Sequence, residues 1–107
     1  MGSRFYTIIM QFEEIVSELT TELENCTPGK MMSSEAIKKN GKVFCFSYDQ
    51  NMVFRLGFDF NPREYNIHNA TLLNPFKNKP PMKDWWIIPA EHEEHWKFLA
   101  ILAYDKR

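Results

Sequence analysis

A hairpin signal at Asn40–Gly41 is the feature that most constrains the fold of this chain. Both central residues of a type I′ turn need a positive φ, and Asn-Gly is among the dipeptides that meet this requirement best. The run from Lys42 to Gly57 is rich in β-branched and aromatic residues, which favour strands. Asp49-Gln50-Asn51 interrupts that run and predicts a second turn. The segment therefore predicts an antiparallel meander of three strands, over Met31–Lys39, Lys42–Tyr48 and Met52–Leu56.

Two amphipathic helices are predicted to flank the meander. From about Phe5 to Glu24, apolar residues recur at the period of an α-helix, and Pro28-Gly29 is expected to end the segment. This stripe consists of Phe5, Ile8, Ile9, Phe12, Ile15, Val16, Leu19 and Leu23. A second helix is predicted from about Ala90 to Tyr104. Its apolar side carries Trp96, Leu99, Leu102 and Ala103. A stripe this wide needs a broad, flat partner, so we expect the first helix to pack on the sheet.

The remaining segments predict a short helix and two further strands. Asn61 suits an N-cap, Pro62 the first helical position and Glu64 the acidic position of a capping box, so a short helix should run to about His68. Strands are predicted over Thr71–Phe76 and Asp84–Ile88, and the prolines at 75, 80 and 81 predict an irregular connection between them. The predicted fold class is therefore α+β. We expect a single two-layer domain over residues 1–107, with an antiparallel five-stranded sheet and the order α-β-β-β-α-β-β-α.

Apolar residues are predicted on both faces of this sheet. In a regular strand Val43 and Cys45 point opposite to Phe44 and Phe46, and adjacent residues of Asp84–Ile88 alternate in the same way. A sheet with one solvated face needs fewer apolar residues than this. Two alternatives follow: the chain's own short helix or loops cover the second face, or another subunit does.

Charge is distributed unevenly along the chain, although the formal net charge is only −1. Residues 1–28 hold one basic and five acidic side chains, residues 29–83 hold nine and four, and residues 84–107 hold three and five. The low net charge excludes a global field that would draw the protein to nucleic acid or to an anionic membrane. The basic middle third still predicts a face for an acidic partner.

A basic and aromatic segment is the predicted interaction surface. Its candidate residues are Lys77, Lys79, Met82, Lys83 and Trp85. Lysines beside aromatic residues can bind a nucleic-acid backbone and stack bases, and they also protect the edge strands of sheets. We expect a protein partner or a homodimer, and weak nucleic-acid binding stays open as an alternative.

Catalytic, cofactor-binding and metal-binding residues are predicted to be absent. His92 and His95 are three residues apart, whereas a zinc-protease helix places its two histidines four apart, so Glu91–His95 is interpreted as a solvated, acidic helical turn. Cys26 and Cys45 have no Cys-x-x-Cys spacing and are predicted to be reduced thiols. No long apolar run or signal-peptide pattern is present, so we expect a cytoplasmic, non-enzymatic protein without membrane contact. An enzyme whose site is assembled only by folding remains an alternative.

An ordered set of short motifs resembles one known family. The motifs are Gly29-Lys-Met-Met32, Lys38-Lys-Asn-Gly-Lys-Val-Phe44, Val53-Phe-Arg-Leu-Gly57, Asn74-Pro-Phe76, Lys79-Pro-Pro-Met-Lys-Asp-Trp85 and Ile88-Pro89 before a Trp-bearing helix. From Pro28 onward the chain resembles the TfoX (Sxy) N-terminal domain family and, more distantly, the MmcQ/YjbR proteins. It departs from the family's usual Gly-Lys-Met-Phe-Gly at Met32-Ser-Ser34.

The resemblance implies a bacterial protein with the element order predicted above, which is shared with type III secretion chaperone-like folds. It supplies no catalytic residues. The member that gives the family its name regulates competence for DNA uptake and carries a second, C-terminal domain, for which 107 residues leave no room. The implied role is regulatory protein contact, with a competence- or transcription-regulator-related module as the alternative.

Overall fold

One antiparallel sheet of six strands forms the frame of the protein. The computed structural model describes the backbone of residues 2–31, 34–73 and 82–107 and the side chains of residues 12–31, 34–73 and 84–107. The strands are β1 (Cys26–Met31), β2 (Ser34–Lys39), β3 (Lys42–Tyr48), β4 (Asn51–Arg55), β5 (Thr71–Leu73) and β6 (Met82–Ile88). Their spatial order is β1-β2-β3-β4-β6-β5. The α+β class and the antiparallel sheet are therefore confirmed.

Two α-helices and two 3₁₀ helices complete the described structure. The α-helices are α1 (Gly2–Glu22) and α2 (Trp96–Lys106), and the 3₁₀ helices span Pro62–Tyr65 and Ala90–His95. Among the described residues, no helix has the length and apolar character needed to cross a membrane.

Both tight turns of the meander have a left-handed backbone, which was predicted for Asn40-Gly41. The φ angles are 53° at Asn40, 80° at Gly41, 49° at Asp49 and 67° at Gln50. Positive φ at both central residues gives a turn whose twist matches that of the strands it joins. The second turn has only two central residues, so β4 begins at Asn51, which pairs with Tyr48.

The prediction of five strands is wrong, because β1 adds a sixth strand at the edge of the sheet. Pro28-Gly29 was expected only to end the first helix, yet Pro28 lies opposite Ile37 in the β1–β2 pair. An edge strand tolerates proline, since the missing N–H can face away from the neighbouring strand. Helix α1 ends earlier, at Glu22, and Asn25 follows with a φ of 59°.

The predicted middle helix is a single 3₁₀ turn rather than an α-helix running to His68. The Asn61 side chain caps it by accepting a hydrogen bond from the Arg63 N–H at 3.1 Å, and Pro62 takes the first position, as predicted. Asn66 ends it with a left-handed backbone, at φ 56° and ψ 35°.

The main core lies between the sheet and the two α-helices. Helix α1 contributes Phe12, Ile15 and Leu19; α2 contributes Trp96, Leu99, Ala100 and Ala103; and the strands contribute Ile37, Phe44, Cys45, Met52, Phe54 and Ile88. The predicted inward positions are confirmed for α1 from Phe12 onward, while the side chains of Phe5, Ile8 and Ile9 lie outside the described residues. In α2, Leu102 is only partly buried and Ala100 lies further inward.

A β-bulge at Phe44 corrects the predicted facing of β3. Ile37 pairs with Cys45 while Lys38 pairs with Val43, so Phe44 is the extra residue of β3. As a result Phe44 joins Cys45 in the main core, although the two were expected to point in opposite directions. A single inserted residue reverses the alternation of the side chains beyond it.

Apolar side chains also pack on the other face of the sheet, as predicted. This second cluster consists of Ala36, Phe46, Val53, Leu73 and Trp85. Phe46 and Val53 are fully buried, and even Trp85 is only 9% exposed in the single chain. A second copy is therefore not needed to remove these five side chains from water.

Candidate functional site

The predicted interaction surface lies in residues 77–85, of which the structure describes only part. Lys77 and Lys79 lie outside the described residues; Met82 and Lys83 belong to β6, but their side chains also lie outside them. Trp85 is described, and its ring packs in the second cluster with its centroid 5.7 Å from that of Phe46. A binding surface on the lysines therefore stays a prediction, and Trp85 adds little accessible area to it.

An aromatic surface on α2 and the first 3₁₀ helix is the strongest described candidate for a contact site. Phe98 is 51% exposed, and its ring centroid lies 5.6 Å from that of Tyr65. Tyr65 stacks on Phe60 at 5.5 Å with the ring planes 11° apart, and Phe60 packs edge-on against Trp86 at 5.6 Å. We call Tyr65 and Phe98 the aromatic surface. A continuous series of ring contacts links it to the buried interior.

Hydrogen bonds fix the residues beneath this surface. The Trp86 indole Nε1–H donates to the Gly57 carbonyl at 2.8 Å, which orients the ring that supports Phe60. The Asn61 cap and the left-handed Asn66 bound the short helix that carries Tyr65. An open cleft of about 460 Å³ adjoins the same helix and is lined by Asn61, Pro62, Arg63, Ile67, His68, Asn69, Ala70 and Trp86.

The sequence interpretation did not select Phe98, although a signal was available. The inward side of α2 includes Trp96, Leu99 and Ala103, which follow the helical period. Phe98 lies off that stripe, so the helical period leaves its large aromatic ring at the surface. Exposed apolar surface of this kind is one mark of a contact site. Phe58, the other large apolar side chain that is strongly exposed among the described residues, is 76% exposed in the turn after β4.

All three histidines of the chain lie together, although they come from distant segments. The ring centroids of His68 and His92 are 6.0 Å apart, and those of His92 and His95 are 6.2 Å apart. His92 is only 8% exposed, and its Nε2 lies 2.9 Å from both the backbone nitrogen and the carbonyl oxygen of His68. The interpretation of Glu91–His95 as a solvated, acidic helical turn agrees with the exposed Glu91 and Glu94 but not with His92, which is buried in this 3₁₀ segment.

Carboxylates surround the two histidines of this 3₁₀ helix. Glu91 accepts a hydrogen bond from the Asn69 side-chain amide at 2.8 Å, and a Glu94 oxygen lies 3.6 Å from the Nε2 of His95. His92, Glu94 and His95 each offer one ligand atom, and these three atoms all lie within 4.8 Å of one another. Imidazole and carboxylate groups are common ligands of transition metals.

The two cysteines are free thiols, and both are buried. Burial raises the pKa of the Cys45 thiol well above its ordinary value of 9.0, with Cys26 adding a smaller effect in the same direction. Burial also raises the pKa of Cys26. A nucleophilic cysteine needs a lowered pKa, so neither environment activates its thiol.

Comparison with known proteins gives no information about the role of this chain, so the evidence for that role comes from the geometry described above. No protein-family model, curated protein or solved structure matches the chain. The resemblance to the TfoX N-terminal domain family therefore stays a prediction.

Proposed function

We propose that this chain is a small, non-enzymatic domain that acts by contacting another protein through the aromatic surface. The carrying observation is Phe98, which is half exposed yet held from below by Tyr65. Aromatic side chains of this kind are enriched among the residues that dominate the energy of protein interfaces. The adjoining cleft of about 460 Å³ offers room for a side chain of the partner.

The energy available at Phe98 is large enough to matter. Burying a phenylalanine side chain completely gains about 1.5–3 kcal/mol, so covering the exposed half gains roughly 0.8–1.5 kcal/mol. Contact with Tyr65 restricts the ring before binding, which lowers the entropy that a partner must remove. Together these effects favour Phe98 as the centre of the interface.

We further propose that the protein is cytoplasmic and regulatory, and two observations support these additions. Cys26 and Cys45 are free and buried, the state typical of proteins in a reducing compartment such as the cytoplasm. The resemblance to the TfoX N-terminal domain family supplies no catalytic residues, and it supports a regulatory binding role in a bacterium.

The test compares the wild-type chain with three variants as immobilised baits in extract of the native host, read by quantitative mass spectrometry. Phe98→Ser removes the ring, Phe98→Tyr keeps it, and Phe58→Ser removes the other exposed phenylalanine as a matched control. A hot-spot loss of about 2 kcal/mol weakens binding about 30-fold. We expect one partner to be retained by the wild type, Phe98→Tyr and Phe58→Ser and to be lost with Phe98→Ser.

A partner that Phe98→Ser retains as strongly as the wild type would contradict the proposal. Thermal unfolding of every bait shows that a loss of binding is not a loss of folding. Light scattering at high micromolar concentration determines whether the partner is a second copy of the chain.

A further inference from the structure

We propose that the 3₁₀ helix Ala90–His95 binds a zinc-class transition-metal ion through His92, Glu94 and His95. The proposal is independent of the aromatic surface. Its basis is the placement of two imidazoles and one carboxylate whose ligand atoms lie within 4.8 Å of one another. We call these three side chains the histidine site.

The backbone explains why histidines three residues apart meet here. The segment consists of two short 3₁₀ turns that meet at a kink at His92, so the kink, and not the spacing of a regular helix, sets the distance between the two histidines. The segment begins after the extended Pro89, and the His92 N–H donates to the Pro89 carbonyl at 2.9 Å. A kink at His92, with φ −112° and ψ 29°, ends the first turn, and the ring centroids of His92 and His95 are 6.2 Å apart.

His92 is held in an orientation that suits a metal ligand. Its ring is buried, and its Nε2 lies 2.9 Å from the His68 carbonyl oxygen. Histidines that bind metals usually donate their second ring N–H to a carbonyl or carboxylate group, which fixes the tautomer. The His68 backbone nitrogen also lies 2.9 Å from this Nε2, so zinc binding selects the tautomer in which Nε2–H donates to the His68 carbonyl and the lone pair is on Nδ1.

The other two ligands have the freedom to complete the site. Zn–N distances of about 2.0–2.1 Å place tetrahedral ligand atoms roughly 3.4 Å apart, so the side chains must close around the ion. The His95 side chain is 32% exposed and that of Glu94 is 64% exposed, so both can rotate while His92 stays fixed. Two nitrogens and one oxygen suit Zn²⁺ better than Mg²⁺ or Ca²⁺, which prefer oxygen ligands alone.

The surrounding charge also favours a cation. Glu91 belongs to the same segment as the histidine site, and it is held by the Asn69 side-chain amide at 2.8 Å. Three protein ligands leave one tetrahedral position for water or for an exchangeable group. The structure therefore favours a metal-binding site with an open coordination position.

The experiment is a calorimetric titration of zinc chloride into the full-length, tag-free chain and four variants. His95→Gln and Glu94→Gln each remove one proposed ligand. His68→Gln and Glu93→Gln are the matched controls, because each removes the same kind of group from a neighbouring position outside the proposed ligand set. Loss of a group in the outer shell of a metal site already weakens binding about 10–100-fold, so loss of a ligand should weaken it at least about tenfold.

The expected result is one zinc ion per chain, with affinity lost in His95→Gln and Glu94→Gln and kept in both controls. Zinc should also shift the ring resonances of His92 and His95 in NMR spectra of the wild type, a readout that needs no variant to fold. Absence of zinc binding by the wild type overturns the proposal. So does an equal loss of affinity in the ligand variants and their controls.

Discussion

Replacing Phe46 with alanine tests whether the second cluster is buried by a single chain. Phe46 is fully buried, and its ring centroid lies 5.7 Å from that of Trp85 and 6.3 Å from that of Tyr48. Removing a buried phenylalanine side chain costs about 3–5 kcal/mol. Each aromatic contact accounts for about 0.5–1.5 kcal/mol of such a loss. Since domains have total stabilities of about 5–15 kcal/mol, Phe46→Ala should remove roughly a fifth or more of the free energy of unfolding.

The assay is urea unfolding followed by tryptophan fluorescence at two protein concentrations. Burial within one chain predicts the same unfolding midpoint at both concentrations, for the wild type and for Phe46→Ala. If a second copy covered the cluster in a stable dimer, diluting the protein about 100-fold would lower the apparent stability by about 2.7 kcal/mol. A midpoint that moves with concentration would refute burial by the single chain.

A double-mutant cycle then tests the bulge that places Phe44 and Phe46 on opposite faces of the sheet. Phe46→Leu and Trp85→Leu should be coupled by about 0.5–1.5 kcal/mol, because their rings are in contact. Phe44→Leu is the matched control, since the bulge places Phe44 in the main core instead. Coupling between Phe44 and Trp85 as strong as that of Phe46 would contradict the assignment of the bulge.

Two further predictions concern Cys45 and Asn61. Because burial raises the pKa of Cys45, the folded chain keeps that proton where the unfolded chain loses it, so stability should fall as the pH rises above 9.0. The fall is at most about 1.4 kcal/mol per pH unit, and urea unfolding of Cys45→Ala should show a shallower one; equal slopes would contradict this. Asn61→Ala removes the cap on the Arg63 N–H and should cost about 0.5–2 kcal/mol, shifting the NMR resonances of the Phe98 ring through Tyr65. Asn61→Asp keeps an acceptor and should retain stability, and an equal loss in both variants would show that the cap is not the cause.

Local sequence patterns predicted the turns and the inward faces of the helices, because both depend on the conformation of a few neighbouring residues. The two positive-φ turns follow from Asn40-Gly41 and Asp49-Gln50. The inward residues of the helices follow from a period set by backbone geometry, as at Leu19 and Leu99.

Features that depend on neighbouring strands could not be predicted in this way. A proline such as Pro28 is compatible with an edge strand but not with a central strand. The sequence of the segment alone does not show which of these positions the strand takes in the sheet. The bulge at Phe44 is likewise defined by its partner, since Ile37 and Lys38 of β2 pair with Cys45 and Val43. Both features depend on which strand lies alongside, and the sequence of a single strand does not contain that information.

The histidine site was missed for a different reason, which concerns the type of helix. The rule that two histidines must be four residues apart holds for an α-helix, whereas Ala90–His95 consists of two 3₁₀ turns that meet at a kink at His92. The tightening begins where β6 ends: Pro89 is extended, and the Asn51 side chain accepts a hydrogen bond from the Ala90 N–H at 3.1 Å. Asn51 directly follows the Asp49-Gln50 turn, which is the second turn of the predicted meander. The turn that joins β3 to β4 therefore also positions the side chain that holds Ala90, where the segment with His92 and His95 begins.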